Sequence, residues 1–318
     1  MDEVEVLRSL LETYSPSGNE AAAVRKFLGA AKSLGFSGHV DRAGNGIARI
    51  GVGRPKVMFL GHIDTVEGEL PVRLKGGRIA GRGACDAKGA LAAALVAASR
   101  HAGPGEVLVV AAVGEERDSR GARHIIPRHR PDFLIVGEPS GWSGVTIGYK
   151  GNLALLVRFE GERTHLSSPA PTTVEGALAF LEENGVAGRT EVVDRSEAVE
   201  VDPRNVVVRA LCTGIRRAGA QPTLLRKLGT SDMNLAVPAW DCPAAAYGPG
   251  DSHLDHTDGE SLDVEEYRRS VGILDSAFTL LAAQPPPSGL VESPKLASPT
   301  PRGPGPRGTS PSRPRRAA

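Results

Sequence analysis

Apolar runs that stop abruptly at an acid or a histidine recur along this chain. Lys56–Leu60 runs straight into Gly-His-Ile-Asp-Thr-Val, which carries His62 and Asp64. Glu106–Val113 reads as a buried strand and ends at Glu115 and Glu116, and Asp132–Val136 ends at Glu138. Ile47–Val52 reads as a further strand. Between the strands the periodicity turns helical. Residues 2–14 and 19–34 show helical spacing with Ser-Pro-Ser-Gly as a breaker, 87–101 form an Ala-rich helix, and 119–127 a short one. Strands alternating with helices predict an α/β fold: a mainly parallel sheet with helices on both faces. Strand ends on one edge of such a sheet converge, so residues distant in sequence can share one site there.

The pattern changes near Lys150. Asn152–Glu160 alternates apolar and polar residues, Thr172–Glu183 is amphipathic at helical spacing, and 190–202 is polar and Val-rich like another strand. Residues 150–208 are therefore expected to form a small inserted α+β lid domain. Helix and strand signals then return: a helix about 205–218, strands near Thr223–Lys227 and Ala244–Tyr247, and a helix 263–283. This predicts a discontinuous catalytic domain, 1–149 and 209–283. Residues 284–318 are rich in Pro, Ser and Arg and cannot bury enough apolar surface to offset ordering entropy, so they read as a disordered tail.

The net charge of +1 conceals an asymmetry: the tail carries +5 and the remainder −4. Nothing in the body favours nucleic acid. The acidic start Met-Asp-Glu-Val-Glu is no signal peptide, and no apolar run approaches the ~20 residues that span a bilayer. Three cysteines without paired spacing form neither a disulfide framework nor a structural zinc site. The expectation is a soluble cytoplasmic protein that binds neither nucleic acid nor membrane.

The acids and histidines carry the chemistry. Carboxylates and imidazoles without paired thiols suit a hydrolytic Zn or Co centre. If the backbone at Glu115–Glu116 is extended, the two side chains point opposite ways, so one can bind a metal while the other holds a water. Glu115 is then the general base and Glu116 the ligand. Alternation also sets His62 and Asp64 on one side, letting the Asp64 carboxylate orient the imidazole. Asp86, in Gly-Arg-Gly-Ala-Cys-Asp-Ala-Lys-Gly, sits where it can cap the Ala-rich helix or bridge two cations. His256 is preferred over His253, which reads as a surface histidine. Cys85 reads as packed. His165 lies in the insert, where an imidazole on a lid could donate to an oxyanion.

In this order, Gly-His-Ile-Asp-Thr-Val, Gly-Arg-Gly-x-Cys-Asp-x-Lys-Gly, Glu-Glu, Gly-Glu-Pro-Ser, Gly-x-x-x-His-x-Ser-x-Pro and a C-terminal His resemble the di-zinc hydrolase family of aminoacylase, acetylornithine deacetylase and succinyl-diaminopimelate desuccinylase. The resemblance spans about residues 3–283. It implies a zinc-exopeptidase-like fold and two divalent ions, Zn or Co. His62 and Glu138 would hold one ion and Glu116 and His256 the other, with Asp86 bridging, Glu115 as proton acceptor and Asp64 supporting His62. It also implies a cis peptide at Asp86–Ala87. Gly-Thr-Ser-Asp-Met-Asn (229–234) and Gly-Pro-Gly-Asp-Ser…Leu-Asp-His-Thr (248–257) most resemble the members that release lysine or ornithine from an amino-group carrier protein.

The expected function is thus metal-dependent hydrolysis of an amide, with a carrier conjugate as the partner substrate, in lysine/arginine biosynthesis. Alternatives are an acetylornithine or acetyl-lysine deacetylase, an aminoacylase or dipeptidase, or, in another class, a lid-truncated protein that only binds. The family's insert usually has four strands and two helices and forms a homodimer. Only about two strands and one helix can be placed here, which argues against a dimer through the insert.

Overall fold

A computed structural model of the chain describes residues 2–158, 183 and 189–287. Its strands are β1 (Ser37–Val40), β2 (Gly46–Val52), β3 (Lys56–His62), β4 (Arg73–Lys75), β5 (Arg78–Ala80), β6 (Gly105–Ala112), β7 (Phe133–Gly137), β8 (Gly144–Tyr149), β9 (Asn152–Arg158), β10 (Arg189–Ser196), β11 (Val199–Glu200), β12 (Thr223–Lys227), β13 (Ala244–Ala246) and β14 (Ser261–Asp263).

Nine strands form the main sheet in the order β1-β2-β6-β3-β7-β13-β8-β11, with β12 beside β8. Its centre is parallel, as β6, β3, β7 and β13 all run the same way. The apolar runs explain why: Val57–Leu60, Val107 to Ala112 and Phe133–Val136 are buried on both sides, which suits parallel strands clad by helices. Each Val, Leu or Ile so buried contributes about 1.5–3 kcal/mol relative to exposure.

Helix Lys88–Ala98 is buried over its whole length. Its alanines let it pack closely on β3, β6 and helices Glu3–Leu11 and Val264–Ala282. Helix Val264–Ala282 is capped by Asp263, whose side chain accepts from the N–H groups of Glu265 and Glu266. Asn205 caps helix Val206–Arg217 in the same way. The last two helices lie within one residue of their expected bounds, whereas Lys88–Ala98 ends three residues before the expected 101.

The structure differs from the sequence reading in several places. The helix after Asp86 has Ala87 as its N-cap residue and no side-chain cap, so Asp86 does not cap it. Strand β8 and helix Met233–Trp240 were not expected. Glycines at Gly144 and Gly148 weaken the strand pattern, and Pro238 interrupts the helical one. The polar stretch 190–202 divides into two strands with different partners. β10 pairs antiparallel with β9, away from the main sheet, whereas β11 pairs with β8. Main-sheet pairing therefore resumes at Val199, before the boundary expected at 209. The helix expected at 172–183 (apart from Glu183), His165 and the tail beyond 287 lie outside the described residues.

A second small sheet, β14-β5-β4, sits beside the site. It sets Ala80 opposite Ser261. That register joins the segment carrying Asp86 to the segment carrying His256. No helix among the described residues is long and apolar enough to cross a membrane.

Candidate active site

Strand register places three of the site's segments at one level. His62, the last residue of β3, lies opposite Ala112 of β6, and Gly61 lies opposite Gly137 of β7. Glu115 and Glu116 follow β6, and Glu138 follows β7. Glycine is required at 137, because a Cβ there would lie 2.5 Å from the Phe59 ring. The parallel edge thus brings one imidazole and three carboxylates together.

Asp86 is shared by two clusters. His62 Nε2 lies 2.9 Å from Asp86 Oδ1, and His256 Nε2 lies 3.2 Å from Asp86 Oδ2 and 3.0 Å from Glu116 Oε1. Ligand-type atoms of His62, Asp86 and Glu138 lie within 4.8 Å of one another, as do those of Asp86, Glu116 and His256. The Asp86–Ala87 peptide is cis. His256 has a left-handed backbone, φ 63°, a conformation costing a non-glycine residue about 1–3 kcal/mol. His253 points elsewhere, to Asp251 at 2.8 Å, and is exposed. Cys85 is buried, its thiol 3.4 Å from the Ser261 carbonyl.

Two expected local arrangements differ. Glu115 and Glu116 lie in a turn, not an extended strand, so alternation is not what separates their side chains. The Asp64 carboxylate makes an ion-pair contact with His62 but no direct hydrogen bond to it. It accepts from the N–H groups of Glu115 (3.1 Å) and Glu116 (3.2 Å) and from the Ser17 hydroxyl (2.7 Å), and stands 3.7 Å from His62 Nδ1. The backbone carbonyl of Asp64 takes the Nδ1 contact at 3.0 Å. Nδ1 thus donates to that carbonyl and Nε2 donates to Asp86; when the ring is neutral with its proton on Nδ1, Nε2 is the nitrogen left to face a cation. Asp64 therefore holds the glutamate turn with its side chain and the imidazole with its main chain.

The cluster carries more negative charge than its own cations balance. Burial, with repulsion from Glu138, Asp232 and Asp86, pushes the Glu115 carboxyl well above the usual range against the pull of His62. Burial and Asp86 do the same to Glu138. Burial opposes the charged form of Asp86 too, but hydrogen bonds from His256 and His62 hold it below the ordinary range. Glu138 Oε1 is buried with no hydrogen-bond partner. An unpaired buried carboxylate oxygen amid imidazoles and acids is a donor set that divalent cations satisfy, and the residues fit such ions.

Sequence reading gave no role to two buried groups. Asp232, from Gly-Thr-Ser-Asp-Met-Asn, is pushed up to about 6 by burial, and its Oδ1 has no partner. Glu260 is buried behind the Asp86 loop. Neither follows an apolar run, the signal that marks His62, Glu115, Glu116 and Glu138.

Without bound cations the cluster links stability to pH. Hydrogen bonds to Asp86 and Glu116 raise the His256 imidazole from 6.5 to about 10. A raised imidazole contributes stability fully below pH 6.5 and loses it as pH rises through 10. Half-exposure screens the effect. Chelator-treated protein should melt at progressively lower temperature from pH 6.5 to 10, and His256→Ala should flatten that slope. A wild-type melting temperature independent of pH across this window would refute the pairing.

Comparison with known proteins shows the family to which the chain belongs. A Pyrococcus horikoshii protein, provisionally named a LysW-lysine/LysW-ornithine hydrolase, is 37% identical over 88% of this chain and 98% of its own length. The LysW-lysine hydrolase of Deinococcus radiodurans is 35% identical over 87% of this chain and 96% of its own. Among solved structures, an M20 family metallo-carboxypeptidase from Sulfolobus solfataricus superposes with a TM-score of 0.70 at 15% identity, covering 89% of this chain and all of that one. Residues 58–279 match the pattern of peptidase family M20/M25/M40. A parallel-sheet edge with an aspartate shared between two acid–histidine clusters, and relatives alike over most of their length, place this chain in the M20/M25/M40 family of metal-dependent hydrolases.

Proposed function

We propose that this protein hydrolyses the amide that joins lysine and/or ornithine to the terminal glutamate of an amino-group carrier protein, releasing the free amino acid in lysine/arginine biosynthesis. The observation that carries the reading is the shared Asp86 between two acid–histidine clusters with Glu115 beside them. The relatives named as LysW-lysine hydrolases supply the substrate class.

His62, Asp86 and Glu138 would hold one divalent cation, and Asp86, Glu116 and His256 a second, Zn or Co in each case. Bound there, such ions polarise a carbonyl and lower the pKa of water from 15.7 to about 7. The chain's own residues do the rest. Glu115 accepts the proton of the attacking water on its carboxylate and delivers it to the departing amine, so amide and water become carboxylate and amine. Asp64 keeps Glu115 in place through the turn N–H groups, and its carbonyl fixes the His62 tautomer. His165 is the proposed oxyanion donor.

The test is a substrate panel on purified, metal-supplemented protein: carrier–lysine and carrier–ornithine conjugates against N-acetyl-ornithine, N-acetyl-lysine and dipeptides. The carrier conjugates should be cleaved with kcat/KM at least about 100-fold above the others, corresponding to ~2.7 kcal/mol of differential transition-state binding. Faster turnover of an acetylated amino acid or a dipeptide would replace this reading.

A further inference from the structure

Arg82 and Glu260 form a buried ion pair that belongs to neither cluster. Their side chains are 5% and 1% exposed. The Glu260 carboxylate accepts four hydrogen bonds. Oε1 takes the N–H groups of Cys85 (3.0 Å) and Asp86 (3.2 Å), and Oε2 takes the N–H of Gly83 (3.1 Å) and Arg82 Nη1 (3.1 Å). The Arg82 guanidinium reaches further. Nη1 also donates to the Thr257 carbonyl at 2.9 Å, and Nε to the Gly68 carbonyl at 2.8 Å.

The consequence is geometric. Glu260 holds the backbone of Asp86. Arg82 holds the carbonyl of Thr257, the residue directly after His256. The two segments are also stitched at their root, where Gly81 N–H donates to the Glu260 carbonyl at 3.3 Å and Ala80 faces Ser261. His256 needs such a tether. It stands in a stretch without helix or strand, in the left-handed region, with its side chain half exposed. Its imidazole reaches only Asp86 and Glu116 among the hydrogen bonds described. The Arg82–Glu260 pair therefore fixes how far the shared aspartate lies from the imidazole that completes the second cluster.

We propose that Glu260 is a positioning residue: through Arg82 it sets the separation of Asp86 and His256, and so the affinity of the cation held between them. The inference rests on the two-cation reading given above. A carboxylate is required because both oxygens must accept from two donors each. Glutamine offers one acceptor oxygen and turns an NH2 donor toward the other pair, leaving two buried donors facing a third. Loss of an outer partner of this kind typically weakens metal affinity 10–100-fold.

The test is stepwise Co(II) titration of metal-free, full-length protein, followed by calorimetry and visible absorption, for wild type, Glu260→Gln and Arg82→Lys. Wild type should take up two equivalents. Glu260→Gln should bind the second equivalent 10–100-fold more weakly with an altered Co(II) absorption band, and Arg82→Lys should weaken it in the same direction by less. If Glu260→Gln does not fold, Arg82→Lys decides alone. Wild-type affinities and spectrum in the folded variant overturn the positioning role. A wild type that binds no Co(II) overturns the two-cation reading and this inference with it.

Discussion

Glu115→Gln should lower kcat by about 10²–10⁴-fold while leaving KM, fold and metal content close to wild type. The split follows from where the residue sits. Glu115 is in neither of the two ligand-type clusters. Its turn is held by main-chain N–H groups donating to Asp64, which an isosteric amide leaves untouched. What the amide lacks is a lone pair basic enough to take a proton from water. Burial, and then repulsion from Glu138, Asp232 and Asp86, already disfavours the Glu115 carboxylate. The neutral amide should therefore leave the metal-free protein as heat-stable as wild type or more so. Steady-state kinetics on metal-supplemented protein, with metal content measured on the same sample, checks this. Near-wild-type kcat in that variant would remove Glu115 as the base and require another proton acceptor.

Asp86→Ala should have a larger effect of a different kind. Asp86 is the one residue common to both clusters, so its removal strips a ligand from each. Metal content should drop from about two ions per chain to less than one, and activity should fall by more than about 10³-fold, since metal assistance is worth several kcal/mol and each 1.36 kcal/mol is tenfold. Glu116→Gln, which touches a single cluster, should cost one ion and spare the other. Removing Asp86 also takes away a hydrogen bond that raises His256. The pH-linked loss of stability between 6.5 and 10 should therefore shrink in Asp86→Ala. Native mass spectrometry gives the ion count directly. Two ions still bound to Asp86→Ala would dissolve the shared-ligand reading, whatever happened to the rate.

The central strands and the helices beside them were legible because apolar runs and helical spacing are local properties. The ends of β3, β6 and β7 could be read from residues 56–62, 106–113 and 132–136 alone. The chemical identity of the site was legible for the same reason. Acids and imidazoles at the ends of buried runs are few, and paired thiols are absent. Strand β8 was hidden by its glycines, and the short helix Met233–Trp240 by its proline.

By itself the chain determined which side chains can carry the chemistry and which runs must be buried, because residue type and short-range spacing suffice for both. Only the tertiary structure decided how they meet. It set His62 level with Ala112, turned the Glu115–Glu116 pair on the Asp64 carboxylate, gave His62 a carbonyl in place of that carboxylate, and freed Asp86 from capping a helix to stand between two imidazoles. It also brought Glu260 to the N–H of Asp86, a contact between residues 174 positions apart. Such pairings depend on strand register and on which buried donors remain to be satisfied once the chain has closed, and no local periodicity encodes either.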